Sequence, residues 1–360
     1  MAWRLDKVVS SFTEAATDPT KWDVAMDVVA TEAGARGAVL LPVQGRLPFL
    51  PVADAIRETA DRYVREGWIE KDRRYEAVPA MMIKAVATDL DFMSSEQMLK
   101  SEYYQDFLAP SKLQWAAMVR VVAGDDHWLV SIQRTIAQGP FQSEELSRLA
   151  QLSSMLDPAT SLARALGFAR AEGALNAFEL SSTAALMLNS SGAVIKLNES
   201  ARKLLGEYIT VRNGRLRTRS AAVSSALDKA IFQVIWKADH TVAPAIAIPR
   251  EFGRPIVAYV LRAGSVAMEM LSPSRAFVLL IDPDINIAPA INDLQKLFGL
   301  TQSESKLVAE LQRQKSLTDA ASKLNISYEN ARTTLKQAFR KTDTSGQVEL
   351  MGLISKLRAK

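Results

Sequence analysis

The stretch from Leu300 to Lys341 constrains this 360-residue chain more than any other, because its apolar residues recur at helical spacing and its short polar residues fall where helices start. Thr301 places a hydroxyl three residues before Glu304, the pattern of a capping box in which each side chain takes the other residue's backbone amide. Leu307, Val308 and Leu311 then form one apolar stripe. A second helix is expected over about Leu317 to Leu324, burying Ala320, Ala321 and Leu324, where small alanines let another helix cross closely. Asn325-Ile326-Ser327 reads as the turn, and Ser327 as the cap of a third helix from Tyr328 to about Lys341. Ala331, Leu335, Ala338 and Phe339 face inward in that helix, leaving Glu329, Asn330, Arg332, Thr333, Lys336, Gln337 and Arg340 outward.

The outward set suits a helix that reads DNA. Arg, Asn and Gln form bidentate bonds with base edges, while Lys and Arg neutralise phosphates. The alternative is a solvated face of a three-helix bundle, and the charge distribution weighs against it. From Ile291 to Lys360 there are twelve Lys and Arg against seven Asp and Glu, a balance of +5, so the rest of the chain carries −1 of the overall +4. Phosphate binding needs the excess where the reader is. The expected DNA-binding residues are Ser327, Tyr328, Asn330, Arg332, Thr333, Lys336, Gln337, Arg340 and Lys341, with double-stranded DNA as partner.

Over roughly its last sixty residues the chain resembles the DNA-binding domain of LuxR-type transcription regulators. The residues that carry the resemblance are Leu300-Thr301 with Glu304, Leu307-Val308, Leu311, Ser316, Ala320-Ala321, Leu324, Ile326-Ser327, Ala331-Arg332, Leu335, Phe339, Lys341 and Gln347-Val348-Glu349-Leu350. Gln314, Asn330-Ala331, Thr334 and Asp343 depart from the family's usual residues. The resemblance implies that Arg332, Thr333 and Lys336 face the major groove. It also implies that a fourth helix, about Gln347 to Leu357, presents Val348, Met351, Ile354 and Leu357 and pairs across a homodimer.

The preceding residues have the makings of two further folded units. A chain this long, 48% apolar and 23% charged, can bury several cores. Without Cys it has no disulfide, thiolate zinc site or cysteine nucleophile. Asp6 and Lys7 interrupt any apolar leader, and no run approaches the ~18 apolar residues of a membrane span, so a cytoplasmic, non-membrane protein is expected.

Val8 to Ala16 and Trp22 to Ala33 read as amphipathic helices, and Gly37 to Pro42 as a buried strand. Helices are expected over Ala53 to Glu66 and Ser94 to Phe107, then two alternating strands, Trp115 to Val122 and His127 to Arg134, joined by a Gly124-Asp125-Asp126 turn. Phe141-Gln142-Ser143-Glu144-Glu145 opens a further helix. This pattern, ahead of a DNA reader, resembles the GAF-like sensor domains of LuxR-type regulators. Tyr63, Trp68 and Asp72 resemble the aromatic and acidic pocket residues of acyl-homoserine-lactone receptors. With Tyr103 and Trp115 they form the candidate ligand pocket for a small molecule. The plainer reading makes Tyr63, Trp68, Tyr103, Tyr104 and Trp115 core aromatics.

From Phe141 to Glu172 a helical stretch carries Leu146, Leu149, Leu152, Leu156, Leu162 and Leu166 on one face, with a break expected near Pro158. It could link domains, pair across a dimer or pack back on its own domain. Ala184 to Asn189, a Ser190-Ser191-Gly192 turn, Val194 to Asn198 and a helix from Glu199 to Leu205 closed by Gly206 resemble the opening of a PAS domain. Ala245 to Pro249, Ile256 to Arg262 and Ala276 to Ile281 fit its later strands. Arg212 to Arg217 reads as a tight basic turn, for which a solvated loop is expected over phosphate attraction. Asp282-Pro283-Asp284, with Pro289, reads as a linker. His127 and His240 lie apart, so neither a two-His metal site nor a haem ligand is expected, and no cofactor is identifiable. No phosphate loop, GxSxG elbow or HExxH supports an enzyme.

The expected fold class is α+β: a GAF-like sensor domain (1–165), a PAS-like domain with an N-terminal linker helix (166–285), both built on antiparallel sheets, and an all-α four-helix helix-turn-helix domain (286–360). The expected function is a one-component transcription regulator that binds DNA as a homodimer under control of a small molecule or partner. The alternatives are an acyl-homoserine-lactone receptor and a signalling adaptor whose helix-turn-helix binds protein.

Overall fold

The structure, a computed structural model, describes residues 3–44, 50–236, 241–263, 271–284, 291–314 and 316–355. It is α+β, with helices against antiparallel sheets and an all-helical C-terminal segment. Among the described residues no helix is long and apolar enough to cross a membrane.

Two helices, α1 (Leu5–Thr17) and α2 (Trp22–Glu32), open the chain. Val8, Phe12, Ala15 and Ala16 are buried along α1, and the Phe12 ring meets the Trp22 ring edge-on at 5.4 Å. Then follow β1 (Gly37–Pro42), α3 (Arg57–Arg65), α4 (Val78–Lys84), β2 (Val86–Thr88), α5 (Ser95–Leu99), β3 (Leu113–Ala123) and β4 (Asp126–Thr135). The four strands form one antiparallel sheet in the order β1-β4-β3-β2. The expected helix over 53–66 is a 3₁₀ turn at Asp54–Ile56 followed by α3. The expected helix over 94–107 is also divided. A Ser94/Gln97 capping box starts α5, and after a break one turn of π-helix, Tyr103–Leu108, turns Tyr103, Tyr104, Phe107 and Leu108 inward together. The wider π turn brings these neighbours onto one side.

The next helix, α6, runs unbroken from Ser143 to Leu180, 38 residues. The break expected at Pro158 is absent. Pro158 withholds its amide from the Ser154 carbonyl, but both residues are exposed, so water can take that carbonyl. Along its first half Leu149, Leu152, Leu156 and Ala159 join the first core, and the Ser153 and Thr160 hydroxyls donate to the Arg120 and Val122 carbonyls of β3. Along its second half Ala171 and Leu175 pack on the next sheet. The leucine face therefore packs back over 149–156, and the boundary expected at residue 165 falls inside a helix shared by both sheets.

The second sheet is antiparallel in the order β6-β5-β11-β10-β9, from β5 (Ala184–Leu188), β6 (Val194–Leu197), β9 (Ile246–Ile248), β10 (Ile256–Arg262) and β11 (Ala276–Ile281). Between β6 and β9 lie α7 (Glu199–Leu204), a separate hairpin of β7 (Ile209–Arg212) and β8 (Arg215–Thr218), and α8 (Ala221–Trp236). Asn198 caps α7 through the Ala201 amide while also accepting from the Ala185 amide, tying helix to strand. The expected basic turn is the tip of the hairpin, with Asn213 and Gly214 both at positive φ (50° and 72°), the backbone of a type I′ turn. Alternation divides the strands: Leu186, Val278 and Leu280 face α8, and Ala185, Met187 and Phe277 face α6.

Asp282 and Asp284 are not a free linker. Both accept from Arg250, at 2.7 and 2.9 Å, and the Arg250 and Asp282 side chains are only 11% and 8% exposed. The guanidinium satisfies the buried Asp282 carboxylate where solvent does not, and ties the part-exposed Asp284 to it. Pro289, His240 and Leu357 lie outside the described residues.

Among its described residues the C-terminal segment holds five helices where four were expected: α9 (Ile291–Phe298), α10 (Gln302–Gln314), α11 (Leu317–Lys323), α12 (Tyr328–Thr342) and α13 (Gln347–Ser355). The additional α9 sends Leu294 and Phe298 into the core of the others, so it adds burial that three short helices lack.

Candidate nucleic-acid interface and ligand cavity

The geometry around α12 grows from local capping and one long-range ion pair. Glu304 accepts from the Thr301 amide (2.6 Å) and Thr301 Oγ1 from the Glu304 amide (3.3 Å), closing the expected box on α10. Glu304 also accepts from Lys341 Nζ at 2.7 Å, joining the start of α10 to the end of α12. Desolvation opposes the Glu304 charge, but Lys341 and the Thr301 amide outweigh it and hold its carboxyl below the ordinary glutamate value. Ser316 caps α11 through the Asp319 amide and Ser327 caps α12 through the Asn330 amide. Asn325 takes the left-handed backbone of the turn, φ 55°.

Ala331, Leu335 and Ala338 are buried against α10 and α11, whose Ala320 and Ala321 allow the close crossing. Asn330, Arg332, Thr333, Lys336, Gln337 and Arg340 are exposed, and Tyr328 is 49% exposed at the helix start. Arg332, Lys336 and Arg340 recur every four residues and so form one stripe; among the described residues none of the three has an ion-pair partner. Lys341 is turned the other way, toward Glu304. The Ser327 hydroxyl is spent on the cap, and Thr333 returns its hydroxyl to the Glu329 carbonyl. On α13, Val348 is 88% exposed, Met351 is half-buried, and Ile354 is fully buried in the core of its own helices. Its place there follows from the turn of α13, which must seat one apolar side to stay attached.

A second site lies on the first sheet. The register sets Val39 opposite Ser131, Leu41 opposite Leu129, and Gly37 and Ala116 beside Gln133, so these share one face. Over this face α3 and the π turn close a mainly apolar cavity. Its free space is about 30 Å³ within a concavity of about 500 Å³. Tyr63, Asp72 and Tyr103, expected at a pocket, line it. Trp68 does not: it stacks on Phe107 at 5.4 Å and donates its indole N–H outward to Glu66. Trp115 also lies off the cavity, and its indole nitrogen has no hydrogen-bond partner.

Sequence reasoning missed Arg74, Ser131 and Gln133. Tyr63 donates to Asp72 (2.8 Å), and Asp72 accepts from the Arg74 amide. The Arg74 guanidinium donates to Asp89 (2.9 Å) and to the Gln114 carbonyl (3.0 Å); Tyr104 also donates to Asp89, whose side chain is 1% exposed. Arg74 Nη1, Ser131 Oγ and Gln133 Oε1 are buried without partners, and all three residues line the cavity. Unsatisfied buried polar atoms are costly, so a site holding three of them is suited to a ligand that supplies their bonds. Burial pushes the Asp72 carboxyl up, only partly offset by Arg74, and pushes the Tyr63 and Tyr103 phenols up, so these phenols remain donors. The signal for Ser131 and Gln133 was present: two polar residues at alternate positions of the Trp128–Gln133 stretch of β4, whose other residues are apolar.

Among the described residues no cluster of His, Asp and Glu is placed to hold a metal ion.

No protein-family model matches the chain, and no curated protein is significantly similar to it. Solved structures give weak likenesses. The VqsR LBD domain from Pseudomonas aeruginosa is 15% identical over 44% of this chain and 94% of its own, at a TM-score of 0.34. The phage VqmA–DPO complex is 15% identical over 51% and 86%, at 0.24. The Vibrio cholerae VqmA dimer without its target DNA, studied for the DNA-binding mechanisms of LuxR-type receptors, is 14% identical over 50% and 86%, at 0.22. Scores this low assign neither a family nor a function.

Proposed function

We propose that the chain is a one-component transcription regulator of LuxR type: α12 reads double-stranded DNA, and a small molecule in the β1–β4 cavity sets how well it does so. The observation that carries this reading is the unpaired Arg332, Lys336 and Arg340 stripe on a capped helix, with Asn330 and Gln337 beside it. Exposed cations at i and i+4 repel by only about 0.2–0.5 kcal/mol per pair, but without carboxylate partners they form a positive surface that attracts an anion. Lys336 and Arg340 neutralise phosphates, and Arg332, Asn330 and Gln337 reach base edges. The Glu304–Lys341 pair fixes the angle of α12 over α10. Acting as a homodimer in the cytoplasm, two such helices meet half-sites about 34 Å apart, with Val348 of α13 the free apolar residue at the pairing face.

The cavity's ligand is a mostly apolar molecule with polar groups for Arg74 Nη1, Ser131 and Gln133. With about 30 Å³ free, it enters only if the wall of α3 and the π turn yields. That wall and α6 lie on opposite faces of the sheet, so ligand entry bears on the helix that continues to the second sheet. The ligand acts through its different affinity for the two arrangements. Trp68, facing away from the cavity, weakens the acyl-homoserine-lactone alternative.

The test is fluorescence anisotropy with genomic DNA fragments at two salt concentrations. The expected result is saturable binding that keeps its fragment preference at the higher salt and is lost in Arg332→Ala and Lys336→Ala. Binding unchanged by both substitutions would overturn the reading in favour of the protein-binding adaptor.

A further inference from the structure

The β7–β8 hairpin has a charge arrangement that the proposed function leaves unused. In its register Arg212 sits directly opposite Arg215, and Thr210 opposite Arg217. Alternation puts these four on one face, while Ile209 and Leu216 on the other are buried at 0% and 2% exposure. Like charges directly opposite on a ladder repel. Neutralisation is incomplete: Asp228 of α8 serves both Arg217 (3.0 Å) and Arg215 (3.9 Å), and Glu207 takes Arg219 at 2.6 Å. Arg212 has no carboxylate partner among the described residues. The hairpin and α8 enclose an open groove with free space of about 930 Å³, lined by four arginines against two carboxylates.

We infer that this groove is an oxyanion site that takes a phosphate-bearing ligand. Guanidinium groups form paired, parallel hydrogen bonds with phosphate oxygens, which ammonium groups do not, and all four cations lining the groove are arginines. The remaining lining favours a polar guest: Thr210, Asn213 and Ser225 offer hydroxyl and amide groups, and Tyr208 is the one aromatic ring, with Arg219 over it at 5.2 Å. The groove is far larger than the sheet cavity and has room for a nucleotide-sized anion or a stretch of DNA backbone. Phosphate binding relieves the Arg212–Arg215 repulsion, which apolar ligands leave in place. The site is independent of α12, so it stands or falls separately from the DNA reading.

The test uses the full chain. Inorganic phosphate, pyrophosphate and ATP are titrated calorimetrically at constant ionic strength into the wild type, Arg212→Ala and the Arg212→Glu/Arg215→Glu double variant. Arg212 is exposed and unpaired, so Arg212→Ala should keep the wild-type melting temperature and guards against misfolding in the double variant. Saturable pyrophosphate or ATP binding, weakened several-fold in Arg212→Ala and at least about tenfold in the double variant, supports a free phosphorylated ligand. A second arm measures duplex DNA binding in an Arg332→Ala/Lys336→Ala background. Residual affinity there that falls on adding Arg212→Glu, with a salt slope smaller by about one, identifies DNA phosphates as the source. Binding of phosphates and DNA alike unaffected by the Arg212 and Arg215 substitutions overturns the inference.

Discussion

The β1–β4 sheet and the sheet of β5, β6 and β9–β11 are both antiparallel, both carry α6 on one face, and differ in what covers the other. Over the second sheet lies a 16-residue helix, α8, whose Leu227, Ala230, Ile231 and Val234 are buried against the strands, with Ala201 of α7 and Ile209 and Leu216 of the hairpin completing the same core. Over the first lie a nine-residue helix and one π turn, and beneath them Ser131 and Gln133 stay buried without partners. One regular helix presents a continuous apolar stripe that fills a sheet face. Short, irregular pieces meet at angles, and the space between them is where a ligand can enter. The difference leaves buried polar atoms without partners beneath the cover of the first sheet and a filled apolar layer on the second.

The largest effect that bears on this contrast is expected at Arg74. Arg74→Ala leaves the 1%-exposed Asp89 without its guanidinium, and stability measured by urea unfolding should fall by about 3–5 kcal/mol. A loss near zero would mean that the cavity wall is not held by this pair. Next, Leu227→Ala opens the filled face of the second sheet and should cost about 2–5 kcal/mol. Leu129→Ala, beside existing free space, should fall at the lower end of that range, and equal costs would erase the distinction between filled and open faces.

Glu145 probes the opposite side of β4. Arg134 donates to it at 2.7 and 3.0 Å and holds its carboxyl below the ordinary glutamate value. Its folded pKa is depressed, so its contribution is present above about pH 4.3, the ordinary value, and disappears as pH falls through the lower folded value. Glu145→Gln should lower the melting temperature at neutral pH, by about 1 kcal/mol equivalent, and match the wild type in strong acid. The smallest effect belongs to Ser131→Ala. Removing a buried hydroxyl without a partner should leave stability unchanged or raise it by up to about 1 kcal/mol, while weakening whatever ligand stabilises the wild type in a thermal-shift screen. A clear loss of stability would show that this hydroxyl is already satisfied and the cavity floor is not waiting for a ligand.

The legible parts of the chain were the local ones. Thr301 with Glu304, and Ser327, named two helix starts, because a cap bonds an amide three residues on. The stripe of Arg332, Lys336 and Arg340 followed from helical period alone. Strands β1, β3 and β4 and the Asn213-Gly214 turn could be read from alternation and turn chemistry. Tyr63, Asp72 and Tyr103 were found because aromatic and acidic residues in an apolar stretch are conspicuous, yet Trp68 and Trp115 were conspicuous for the same reason and point elsewhere.

The sequence by itself determined where α10 and α12 begin, which way α12 turns its cations and that the chain turns at Asn213-Gly214, since each depends on residues at most a few positions apart. Only the tertiary structure decided that Pro158 sits harmlessly on a solvent face, that α8 fills the face of one sheet while α3 and the π turn leave a small cavity over the other, that Ile354 belongs to its own core, and that Arg74 meets Asp89 while leaving Nη1 free. Those outcomes depend on segments far apart in sequence, as in Lys341 reaching Glu304 across 37 residues, and no local period records which distant group will satisfy a charge.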